Sequence, residues 1–313
     1  MPTTVAIVKC LSYSQADVDQ AISELFAHLG GITRYVKQGH RVLLKPNLLS
    51  ASHPDDPTVT HYTVLRALIE QVQAVGGEPL IGDSPAFGNV TTVTRKSGLM
   101  AVADELGVPI TEWRGSVKMP HPAHYSVRSY QLAREVVEAD VVINVPKLKT
   151  HQQMQLTGAI KNNFGCVPGK RKARLHLFRG KDRFTFGKML LEYCELIKPT
   201  LTIVDAIVAM EGMGPRLGSP YPLGILTGGV DVVALDRVHA EIIGLPDTEF
   251  DLLNAAREIG VGETELAEIE ILGERLADVQ VTDFKFPVMI PVNFSPFRIV
   301  KSTIRHLWAK RAA

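Results

Sequence analysis

The chain has 313 residues, 45% hydrophobic and 21% charged, with Lys+Arg 34 against Asp+Glu 33. That composition belongs to a globular protein with a large core, in one big domain or two smaller ones. A formal net charge of +1 excludes a global attraction to nucleic acid or to a membrane, so any such attraction has to be local.

Strand-like and helix-like segments alternate in chain order. "TVAIVKC" (4–10) reads as a strand, and "QADVDQAISELFAHLGGITRYV" (15–36) as a helix with apolar residues at helical spacing. "RVLLKPNLL" (41–49) is a strand, followed by the helix "HYTVLRALIEQVQAVGG" (61–77), which glycine closes. "EPLIGDSP" (78–85) is a strand and "TTVTRKSGLMAVADELG" (91–107) a helix. "DVVINVPKL" (140–148) is again a strand, with helices predicted around 153–164 and 184–197. "LTIVDAIVAM" (201–210) and "PLGILTGGV" (222–230) are strands, and "VVALDRVHAEIIGL" (232–245) is a helix.

Short β-branched runs without polar alternation are strands covered on both faces. Alternated with helices, they predict an α/β fold, a mostly parallel sheet with helices on both faces. The predicted organisation is one large α/β domain over 1–245 and a C-terminal helical extension over 246–313. The boundary falls at "LPDTEF", before a Glu-rich segment.

Cys10, Cys166 and Cys194 are scattered without a CxxC pair, which excludes a local zinc or iron–sulfur motif and gives no disulfide framework. The N-terminus lacks the basic and apolar regions of a signal peptide, and no window approaches the ~18 apolar residues of a spanning helix. A cytoplasmic protein is the expectation.

In open parallel sheets ligands bind beyond the carboxyl ends of the strands. Four predicted strands end there in polar residues: Lys45 and Asn47, Asp83 and Ser84, Lys147 to His151, and Asp205. Lys45, Lys147 and Lys161 converging would form a receptor for a carboxylate or phosphate, with Lys149 as a further cation. Crowded ammonium groups depress one another's pKa, which makes one lysine a base or nucleophile near neutrality. His151, with an ordinary pKa near ~6.5, suits proton transfer. Asp83 and Asp205 can pair with the lysines, bind a metal or act as base, and Asp83-Ser84 can also cap the next helix. The loop "MEGMGPRLGSP" (210–220) offers Gly212 and Gly214 for close approach to a ligand, and Glu211 to oppose the lysines, or is a plain turn. No spacing amounts to a metal signature, so no metal is expected.

"PGKRKARLHLFRGKDR" (168–183) is a lid over an anion, a phosphate contact or a solvated loop. In the acid-free tail, Val300, Ile304, Leu307 and Trp308 share a helical face. That suits docking on the parent domain or a second subunit as a homo-oligomer, or a membrane surface of anionic lipid. Near-neutral charge and the lack of aromatics interleaved with the basic run argue against nucleic acid.

"LLKPNLL", "IGDSPAFGNVTTVTRKSGL", "INVPKLKTHQQMQLTGAIKNNFG", "VDAIVAMEGMGPRLGSP" and "GGVDVVALDRVHAEIIGL" resemble, in order over roughly residues 40 to 245, the motifs of the domain-of-unknown-function family 362. The resemblance matches Lys45, Asn47, Asp83, Ser84, Lys147, Lys149, His151, Lys161, Asn162, Asp205, Glu211 and Asp236 to positions in those motifs. Many members are described as iron–sulfur centre proteins because a ferredoxin-like module follows the domain. This chain has no CxxCxxC run, so no iron–sulfur cluster is expected and the cofactor stays unknown. The reading is an enzyme acting on a small anionic molecule, at a site built from Lys147, His151, Lys161, Asp83 and Asp205. Lys45, Asn47, Ser84, Lys149, Asn162 and Glu211 would help bind that molecule. The alternative is a redox accessory or scaffold working with a separate iron–sulfur partner protein.

Overall fold

The computed structural model describes residues 2–169, 171–180 and 182–292. In chain order the strands are β1 (Thr3–Lys9), β2 (Arg41–Pro46), β3 (Glu78–Gly82), β4 (Ile110–Thr111), β5 (Ser116–Met119), β6 (Tyr130–Ala133), β7 (Val141–Val145), β8 (Lys147–His151), β9 (Gln155–Thr157), β10 (Leu201–Glu211), β11 (Ser219–Tyr221), β12 (Ile225–Gly229) and β13 (Ile269–Gly273). The main sheet runs β13-β1-β12-β10-β7-β2-β3-β4, and on this path only β12 opposes its neighbours. β8, β9 and β11 branch from the end of β10, and β5 and β6 form a separate antiparallel pair. The fold is therefore an α/β fold with a mostly parallel sheet.

Successive side chains of a strand point to opposite faces. Ala6, Val8, Val42, Leu44 and Ile143 accordingly belong to one core, and Val5, Ile7, Leu43 and Val142 to another. The helices Gln15–His28, Tyr62–Ala74 and Leu99–Leu106 close the first face, and Arg183–Ile197, Val232–Ile242 and Asp251–Ile259 close the second. Each fully buried aliphatic contributes about 1.5–3 kcal/mol relative to exposure. Helix starts carry side-chain caps: Ser14 accepts from Asp17 N, and Asp231 accepts from Val233 N and Ala234 N.

Several expectations need correction. The first helix stops at His28 rather than running to 36, because Gly30 and Gly31 adopt φ of 88° and 85°. The helix predicted around 153–164 is β9 followed by the single turn Ala159–Asn162. The basic stretch 168–183 contains the helix Arg171–Arg179. Beyond 245, Phe250, Leu252 and Leu253 join the second core, and β13 pairs with β1. The segment after 245 thus supplies an edge strand as well as a helix. The amphipathic pattern at 300–308 lies outside the described residues.

The chain passes from β2 outward to β3 and β4, while β7 and β10 lie on the other side of β2. The β2/β7 seam is therefore a topological switch point, the place where open α/β sheets commonly bind ligands. Both strands stop at a proline there, Pro46 and Pro146, with Lys45 in register with Asn144. Past Pro146 the chain turns onto the far half of β10, aligning Lys147 with Asp205 and Lys149 with Met210.

Candidate functional site

β8 reads Lys-Leu-Lys-Thr-His, and all five residues are buried. Leu148 belongs to the second core, so strand alternation turns Lys147, Lys149 and His151 to the opposite side. Burying charges is costly unless each finds a partner, so their partners decide what the site can do.

Two lysines are neutralised. Lys45 Nζ lies 2.9 Å from Asp83 Oδ1 and also donates to the Pro46 carbonyl at 2.9 Å, while Asp83 Oδ2 accepts from Leu48 N at 2.8 Å. Lys147 Nζ lies 3.0 Å from Asp205 Oδ1 and bonds the Tyr13 hydroxyl. That hydroxyl donates to Asp205 Oδ1 at 2.7 Å, and Asp205 Oδ2 accepts from His61 N at 3.0 Å. The His61 ring stacks on Tyr13 with centroids 3.8 Å apart. Burial lowers the Lys147 pKa despite its aspartate, and pushes His61 down to about 4.

Lys149 differs. Its ammonium donates to Asn47 Oδ1 at 2.9 Å and to the Thr58 carbonyl, with no carboxylate partner among the described residues. Asn47 Nδ2 in turn donates to Asn162 Oδ1 at 3.0 Å, and Asn162 Nδ2 to Asn144 Oδ1 at 2.8 Å. This chain of buried amides fixes one orientation for each member, because every amide end is used. Burial, then the charges of Lys161 and Lys147, hold Lys149 well below its ordinary pKa of 10.5.

Lys161 stands on the turn Ala159–Asn162, which Asp236 anchors by accepting from Ala159 N at 2.7 Å and Ile160 N at 3.0 Å. Its ammonium makes no hydrogen bond or ion pair among the described residues. Burial, then Lys172, lower its pKa to about 8. Lys172 reaches in from the helix Arg171–Arg179, bonds the Ser84 carbonyl, and is itself lowered to about 8 by burial. His151 is held well below its ordinary 6.5 by burial, Lys161, His176 and Lys149. Its Nδ1 accepts from Gln153 N at 3.1 Å, so the neutral ring carries its proton on Nε2. Its pKa thus lies well below the near-neutral value expected from the sequence, and Nε2–H is the ring's donor. His176 is lowered to about 3 for the same reasons, burial first and Lys161 second.

Two glycines let the segments meet. A Cβ on Gly165 would lie 2.1 Å from Asp83 Oδ1 and 2.6 Å from Lys45 Nζ, and one on Gly158 would lie 2.1 Å from Asp236 Oδ1. Trp113 Nε1 donates to the Gly165 carbonyl at 2.8 Å and clamps that crossing.

Lys45, Asn47, Asp83, Lys147, Lys149, His151, Lys161, Asn162 and Asp205 therefore form one contiguous polar cluster. Ser84 borders it through its carbonyl. Glu211, Gly212 and Gly214 do not join it. Glu211 accepts from Lys285 N at 2.9 Å, Gly212 N donates to the Lys285 carbonyl at 2.7 Å, and Gly214 N donates to Thr150 Oγ1 at 3.3 Å. Thr150 belongs to the other side of β8, so the glycine loop packs behind the lysines. Cavities of about 180 Å³, near Met119 and Val142, and about 360 Å³, near Arg183 and Met289, also lie off the cluster. Tyr13, His61, Asn144, Lys172 and His176 are the members missing from the strand-end reading. Asn144 had a signal, an amide within an otherwise apolar strand, whereas Tyr13 sits in a loop without pattern.

The thylakoid-associated protein sll1697 of Synechocystis sp. (strain ATCC 27184 / PCC 6803 / Kazusa) is 38% identical over 311 residues, covering 99% of this chain and 96% of that one. The lactate racemase apoprotein from Thermoanaerobacterium thermosaccharolyticum is similar in structure over 67% of this chain, at 11% identity and a TM-score of 0.47. This chain spans about half of it, 51%, and at that level no property carries over. The family described as Domain of unknown function (DUF362) matches residues 42–241, a range that holds every member of the cluster except Tyr13. The chain belongs to the Domain of unknown function (DUF362) family.

Proposed function

We propose that the chain is an enzyme that binds a small anionic metabolite, a carboxylate or phosphate, at Lys149, Lys161 and Lys172. The observation that carries this reading is Lys149, a buried ammonium with only amide and carbonyl partners among the described residues, beside two more lysines that make no ion pair among them. Unneutralised buried charge is unfavourable, so an anion that enters recovers both desolvation and repulsion. Such contacts are charge-assisted and roughly twice as strong as neutral ones.

Roles follow from partners. Lys45 with Asp83, and Lys147 with Asp205 and Tyr13, are neutral scaffold pairs that fix the strand ends. Asn47 and Asn162 orient Lys149. His151 offers its Nε2 proton to a ligand oxygen. Lys161, with a pKa of about 8 and no hydrogen-bond or ion-pair partner among the described residues, is the group best suited to act as base or nucleophile. Thermal unfolding with inorganic phosphate and a panel of small carboxylates tests this. At least one anion should stabilise the chain, and Lys149→Met should abolish the shift; no shift with any of them contradicts the proposal.

A cytoplasmic location belongs to the same reading, supported by three free buried thiols. A second reading places the chain at a membrane surface, as the printed name of the 38% identical relative suggests. No helix among the described residues is long and apolar enough to cross a membrane. Attachment would then be peripheral.

A further inference from the structure

The helix Arg171–Arg179 presents different chemistry on its two sides. Lys172 turns inward to the Ser84 carbonyl, and His176 stacks on Phe186 with centroids 4.5 Å apart. Arg171, Arg174, Leu177 and Phe178 are exposed on the outer side, Phe178 at 63%. Neither arginine has an ion pair among the described residues, and no acid occurs from 168 to 181. Exposed aromatic and leucine side chains beside unpaired arginines are the makings of an interfacial helix.

The helix is not isolated. Leu11 follows β1, Phe87 follows β3, and Met213 and Leu217 follow β10; all four are exposed. β1, β3 and β10 run the same way, so these residues decorate one edge of the sheet, the edge that carries the lysines. Arg216 lies 5.2 Å over the Phe87 ring, and Lys172 bonds the carbonyl of Ser84 three residues before Phe87. Exposed apolar side chains gathered at a cationic rim suit an interaction surface.

We propose that this rim docks on the headgroup layer of a bilayer containing anionic lipid, with Leu177 and Phe178 entering the interface and Arg171 and Arg174 against lipid phosphates. The proposal rests on the membrane-surface reading above and names the surface for it. Its charge favours anionic lipid over a neutral partner, because each arginine near such a surface contributes about 1 kcal/mol. The docked helix would separate the lysine cluster from the bilayer.

Co-sedimentation of the full chain with vesicles tests it, using pure phosphatidylcholine and phosphatidylcholine mixed with phosphatidylglycerol. The wild type should bind only the mixed vesicles. Arg171→Gln with Arg174→Gln should weaken partitioning about 30-fold, the equivalent of the two arginine contributions. Leu177→Ser with Phe178→Ser should abolish binding while circular dichroism stays that of the wild type. If the wild type ignores both vesicles, the surface and the membrane reading fall together; oligonucleotide binding in that case would assign the rim to nucleic acid. If the wild type binds and both double variants bind equally well, only this surface is wrong.

Discussion

Lys149 Nζ donates to Asn47 Oδ1 at 2.9 Å, while two residues earlier on the same strand Lys147 Nζ faces Asp205 Oδ1 at 3.0 Å. One strand thus carries a neutralised lysine and an unneutralised one. Under the proposed reading, Lys147 is the scaffold group and Lys149 the one that meets the ligand.

Anion affinity should fall as pH rises. In the ligand-free chain Lys161 and Lys172 lose their protons near 8, below the ordinary 10.5, so above about 8 an anion must restore those protons to bind. The unfolded chain keeps these protons up to 10.5, so ligand-free stability gains from both groups between about 8 and 10.5. Phosphate affinity and urea unfolding from pH 7 to 10 check both signs. The stability gain should shrink in Lys161→Ala, and an affinity flat across that range contradicts the assignment.

Asp83→Asn should destabilise the fold by about 3–5 kcal/mol, because it strands the buried Lys45 ammonium. The double change Lys45→Met with Asp83→Leu should cost less than Asp83→Asn alone, since no charge is then left unpaired. Urea denaturation separates the two outcomes.

Gly165→Ala should cost about 1–3 kcal/mol by overpacking. Its Cβ would collide with both members of the Lys45–Asp83 pair. A thermal midpoint unchanged from wild type would show that the crossing is looser than described.

Asp236→Asn should cost about 1–3 kcal/mol, because a single amide oxygen replaces two carboxylate oxygens that accept buried backbone N–H groups. It should also weaken phosphate binding, as the turn bearing Lys161 loosens. Unchanged stability with unchanged affinity would remove Asp236 from the positioning role.

The α/β class was legible because β-branched runs such as 141–145 and 201–207 alternate with amphipathic helices. The strand-end rule also picked out Lys45 and Asp83, which lie at the ends of β2 and β3, whereas Asp205 lies within β10. What it could not give was pairing. Lys147 and Lys149 look alike in sequence, and only the register of β8 on β10 shows that one meets Asp205. The chain's turn at Pro146, which makes a second strand of 147–151, carries no periodicity long enough to read. The place of Glu211, Gly212 and Gly214 was hidden for a related reason, since alternation along β8 sets them behind the lysines. Lys172 was visible only as one of several cations in 168–183, and the helix that turns it inward is too short to announce itself.

The central claim is that unneutralised lysines hold an anion. Calorimetric titration of inorganic phosphate and malonate into the wild type and Lys161→Ala at pH 7 tests it most directly. Lys161 bonds nothing among the described residues and burial disfavours its charge, so its removal should leave the fold at least as stable as before. The account predicts saturable binding of at least one anion to the wild type, weakened about tenfold or more in the variant, the loss of one charge-assisted contact. Equal binding by both chains, or none by the wild type, would contradict it.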